Sequence, residues 1–158
     1  MNLIQYYFAY GESLATAIPA IGHTPANPRF VRITEMGNPD EFTRATAKEL
    51  PADGTVLVWE MFSESPGDGQ KNNWTSLING TFVVLRKGTT VEKLAIFDST
   101  RRIGLEVLRK MIADSVEGAL ATERVLFQLQ NGGGEAVGPL SVGWYGYAFS
   151  FTWRVPLF

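Results

Sequence analysis

The chain of 158 residues has no cysteine and a single histidine. The first absence removes thiol nucleophiles, redox pairs and cysteine-based zinc sites; the second leaves His23 as the one side chain whose ordinary titration falls near neutral pH. An excess of one charge is missing too. With 14 basic residues against 16 acidic ones, nothing draws the chain generally to nucleic acid or to an anionic membrane. No Lys or Arg precedes Arg29, and the apolar run after Leu3 is interrupted by Gln5, Gly11 and Glu12, so neither a secretory signal nor a membrane span is expected. The sequons at Asn73 and Asn79 are read as accidental on that basis. What is present is an apolar share of 45%, enough for one domain over residues 1–158 with its own core, and no repeat or long linker divides it.

Leu3, Tyr7, Tyr10, Leu14 and Ile18 fall on one helical face that Pro19 ends. Residues 19–28 hold Pro19, Gly22, Pro25 and Pro28 and read as an extended connection. A strand is expected from Arg29 to Met36, then a short helix opening at Asn38-Pro39-Asp40-Glu41 and stopping near Leu50. Residues 55–87 read as a long hairpin around a polar loop at 63–73, with Asn79-Gly80 as either a tight turn or a bulge. Thr90 to Glu117 reads as the main helix, with a Glu106–Lys110 pair and a second start available at Asp98-Ser99-Thr100. Gly104 inside it points to a close approach to the sheet. Glu123 to Gln130 is a strand, 131–139 a glycine-rich loop, and the last strand alternates strictly. In that strand Tyr145, Tyr147, Phe149, Phe151, Trp153 and Val155 share one face, against small and polar residues on the other. Without repeated strand-helix-strand units, the order implies an α+β fold: an antiparallel sheet with a long helix packed on one face and an N-terminal helix.

Chemistry finds little support. His23 has no nucleophile motif near it, and Glu60 with Glu64 reads as a solvated pair more readily than as an acid and base. Gly132-Gly133-Gly134 follows a strand but lacks the Lys-Ser/Thr ending of a phosphate loop, and Asp68-Gly69 lacks calcium-loop spacing. Arg86-Lys87 and Arg101-Arg102 are interspersed with acids, so no basic stripe forms. The expectation is a protein that is not an enzyme, with no cofactor and no metal; the alternative is a small-ligand or enzymatic pocket near His23 or Trp144. The terminal aromatics read as core, while Tyr6, Tyr7 and Tyr10, with the loops around Lys71 and Glu135, are the candidate contacts for a neighbouring subunit.

Three stretches carry a family resemblance: Thr81-Phe82-Val83-Val84-Leu85-Arg86-Lys87, the charged helix from Arg101 to Met111, and the closing Gly143-Trp144-Tyr145-Gly146-Tyr147-Ala148-Phe149-Ser150-Phe151. In their order the chain resembles phage tail-completion proteins, the ring-forming tail terminators and neck proteins of tailed phages and related injection particles. The resemblance implies an α+β subunit that joins a homo-oligomeric ring on the tail tube, meets tail-tube or neck proteins and resides in the virion, with no sequence-specific nucleic-acid or membrane partner. Such a ring needs one surface of each subunit to match a different surface of the next.

Overall fold

In the computed structural model, which describes residues 2–35, 39–48, 50, 53–67 and 74–156, the N-terminal stripe becomes helix α1 (Leu3–Ala17). The Asn2 side chain caps it by accepting from the Gln5 amide at 3.2 Å, and Pro19 follows its end without an N–H to extend it. The order continues through β1 (Phe30–Ile33), α2 (Pro39–Lys48), β2 (Thr55–Pro66), β3 (Thr75–Lys87), α3 (Lys93–Glu117), α4 (Ala119–Thr122), β4 (Leu126–Leu140) and β5 (Trp144–Pro156). The strands form one sheet in the order β1-β2-β3-β5-β4. The fold is α+β, with one departure from an all-antiparallel sheet: β1 runs parallel to β2, because α2 serves as the crossover between them.

Helices α1 and α3 pack on one face. There Tyr7, Tyr10, Leu14, Trp59, Phe82, Val107, Met111, Phe149, Phe151 and Trp153 form a single cluster of buried side chains. Gly104 is what lets α3 approach: a Cβ at that position would overlap the Phe149 ring. On the opposite face Phe42 of α2 packs with Val31, Ile33, Val56, Val58, Val83, Leu85 and Trp144.

Several segments differ from their sequence-based reading. Strand β2 continues to Pro66, beyond the point where a loop is expected. Residues 131–139 are not a loop but part of β4, in which Gly133–Val137 pair with β5, with register breaks between Gln128 and Gly133 and between Val137 and Leu140. Glycine weakens a strand's own preference, yet the neighbouring backbone still supplies hydrogen-bond partners, and the breaks take up the irregularity. Asn79-Gly80 lies within β3, and the bulge sits in its partner β2 between Glu60 and Ser63. Helix α3 runs unbroken past Asp98-Ser99-Thr100, and Lys110 pairs with Asp114 at 2.7 Å. Asp114 attracts it because that carboxylate is nearly buried and also accepts from the Tyr10 hydroxyl. No helix among the described residues is long and apolar enough to cross a membrane.

Candidate functional site

The aromatic face of α1 is spent inside its own chain. Tyr7 is fully buried, and its hydroxyl donates to the Glu60 carbonyl at 2.7 Å, a group at the β2 bulge. A bulge frees a backbone carbonyl from its strand partner, and a buried acceptor left alone costs about 1–3 kcal/mol, so the phenol fits this position. Gly80 opposite leaves the space: a Cβ there would come within 2.7 Å of the Tyr7 hydroxyl and overlap Phe151. Burial, reinforced by the Glu60 charge, pushes the Tyr7 hydroxyl far above its ordinary range.

Tyr10, 4% exposed, donates to Asp114 Oδ2 at 2.8 Å. Burial raises its pKa as well, helped by the hydrogen bond and charge of Asp114. Tyr6 is half-buried and donates to the Ala119 carbonyl at 3.2 Å; burial, then the charges of Glu123 and Asp114, push it up to about 12. Of the three candidate tyrosines, only Tyr6 keeps surface that a neighbour can touch. Lys71 lies outside the described residues. Glu135 is exposed on β4, beside a shallow depression of about 370 Å³ that it lines with Thr81, Gly133, Gly134, Ala148 and Ser150.

The residues considered for chemistry are dispersed. His23 is 8% exposed, accepting from the Arg29 amide at Nδ1 (2.9 Å) with Nε2 3.3 Å from Glu12 Oε1. Because Nδ1 is the acceptor, the neutral ring carries its proton on Nε2 and donates to Glu12. That carboxylate is held below its usual range, first by Arg32 at 2.7 Å and also by His23. Trp144 is buried edge-on to Phe42. Glu60 and Glu64, four residues apart, fall on opposite faces, because the bulge between them adds a residue: Glu60 lies across from Thr81 and Glu64 across from the core residue Ile78. Glu64 instead accepts from the Ser76 hydroxyl at 2.5 Å. Arg86 and Lys87 line a groove together with Asp53 and Glu92, which offset their charge.

The two sheet edges differ in how they are finished. At β1, four residues long, the Glu41 carboxylate accepts from the Thr34 amide at 2.9 Å and the Glu35 amide at 3.0 Å, and His23 takes the Arg29 amide. At β4, fifteen residues long, Glu135 is the one charged residue, and among the described residues no strand pairs with its outer side. Long edges of this kind expose unpaired N–H and C=O groups, and natural sheets usually blunt them with charge or brevity. The sequence carried no readable signal for this edge, since Asn131-Gly132-Gly133-Gly134 has turn composition. Compared with protein-family models and with curated proteins, the chain matches none.

Proposed function

We propose that the chain is a structural assembly subunit of the tail-terminator or neck type, forming a homo-oligomeric ring that caps the tail tube of a tailed phage or related contractile injection particle. The observation that carries the reading is the free edge of β4. A ring subunit must offer a surface that a different surface of its neighbour completes, and a strand edge with no neighbour among the described residues offers such a surface through backbone hydrogen bonds. The family resemblance rests on the order of the elements, a long helix between two hairpins. The site then needs no catalytic residue and no cofactor, and Glu135 and Tyr6 are the described side chains placed to contribute contacts.

The test is the mass of the purified protein by light scattering and native mass spectrometry, alone and mixed with tail-tube subunits. The expected result is a closed multimer of one stoichiometry, formed either alone or on tube ends. A strict monomer that never binds tubes removes the proposal.

A further inference from the structure

We propose that His23 is a pH-operated latch on the turn between α1 and β1, closed while the imidazole is neutral and released when Nδ1 takes a proton. The turn is a small closed unit. Thr24 and Asn27 exchange backbone hydrogen bonds at 3.2 and 3.1 Å, and the Arg29 amide reaches back to His23 Nδ1 at 2.9 Å to tie the base of the turn. The next group along the chain, the Arg29 carbonyl, accepts from the Leu57 amide at 2.9 Å and begins the pairing of β1 with β2. The latch therefore sits where the short edge strand joins the sheet.

A proton on Nδ1 changes an acceptor into a donor. Two N–H groups would then face each other across 2.9 Å, and the bond to Arg29 is lost. The surroundings provide for the new charge. From α1, Glu12 Oε1 stands 3.3 Å from Nε2; from β1, Arg32 lies 2.7 Å from the other Glu12 oxygen. The Arg29 guanidinium is turned away toward the Asp53 carbonyl at 2.6 Å. The Phe30 ring, centred 6.1 Å from the imidazole, brings no charge. Protonation thus exchanges one backbone hydrogen bond for a stronger pair with Glu12: the turn has two states, and the proton selects between them. His23 is the only histidine, so no other imidazole responds to pH. The inference does not rest on the assembly reading and survives its failure.

The experiment is an NMR titration of the full chain from about pH 8 to pH 5, the range in which imidazoles commonly titrate. The Arg29 amide resonance should move with the midpoint of the His23 ring. Its hydrogen-exchange protection factor should fall about tenfold, the equivalent of one lost hydrogen bond. His23→Asn places an amide oxygen near the Nδ1 position and cannot be protonated in this range, so it should keep Arg29 protected throughout. An Arg29 amide that stays protected while the wild-type imidazole titrates overturns the proposal, as does a transition that persists in the variant. If His23→Asn does not fold, the wild-type titration decides alone.

Discussion

The two faces of the sheet are buried by different means. Beneath α1 and α3 the contacts are ring on ring: Trp59 stacks on Phe82 at 5.6 Å and 11°, and Tyr7 and Tyr10 meet Trp153 edge-on at 5.5 and 5.3 Å. Glycines let the layers close, since a Cβ at Gly11 would stand 2.6 Å from the Trp59 ring. Across the sheet the cluster under α2 is mostly aliphatic, and farther along the strands the face turns polar, with Thr152 donating to Asn79 at 3.0 Å. Large rings enclosed between helices and strands cannot relax into a void, whereas aliphatic groups under one short helix can partly collapse. Trp153→Ala should therefore cost about 3–5 kcal/mol, removing a fully buried ring whose Nε1 also meets Met111 Sδ at 3.2 Å. Phe42→Ala, at the rim of the second cluster, should cost about 2 kcal/mol. Urea midpoints of the two variants check this, and equal losses would break the contrast between the faces.

A subtler change probes the polar fittings of the aromatic side. Tyr7→Phe keeps the ring but leaves the Glu60 carbonyl at the bulge without its donor, an expected loss of about 1–2 kcal/mol in the same measurement. The pH dependence follows from the raised pKa values of Tyr7 and Tyr10. In the unfolded chain these phenols ionise near the ordinary value of 10.0, while the fold holds them neutral. Their contribution is complete below that pH and is lost as pH rises through and beyond it. Alkaline unfolding should begin above pH 10.0, and with one buried phenol fewer the Tyr7→Phe variant should lose stability less steeply there. An unchanged slope would show that the tyrosines do not carry the transition.

The aromatic face was the more legible of the two in sequence. Its spacing is local: Leu3, Tyr7, Tyr10 and Leu14 mark the helix, and the alternation from Tyr145 to Val155 marks the strand that it covers. Gly104 announced the close approach of α3 for the same reason, as glycine within a helix calls for a packing explanation. What escaped depends on partners distant in sequence. The bulge at Glu60 is defined by the register of β3, some twenty residues away, and it reverses which face Glu64 occupies. The β4 edge escaped because Gly132-Gly133-Gly134 has the composition of a turn, yet Gly133 and Gly134 are held in the strand by pairing with Ser150 and Phe149 of β5. Tyr7 and Tyr10 were legible as an apolar stripe, but whether a stripe meets its own sheet or a neighbour's is a tertiary fact; here both rings are enclosed by their own chain. His23 was legible only as a lone histidine, and its tautomer became readable once the Arg29 amide was found at Nδ1.

The smallest change expected in the folded chain comes from the open side, and it separates an edge from a face. Glu135→Lys reverses an exposed charge on β4, and its effect on monomer stability should stay within about 0.5 kcal/mol. If the outer edge of β4 is the contact of the proposed ring, reversing its one charge to lysine, the residue that most often guards a free edge, should abolish assembly while the fold remains. Ser150→Lys is the matched control: Ser150 is exposed on the same polar side, but it belongs to β5, which has neighbours on both edges. That variant should fold and still assemble. Loss of assembly in both would move the proposed contact from the edge to the open face, and loss in neither would remove this end of the sheet from the proposed ring.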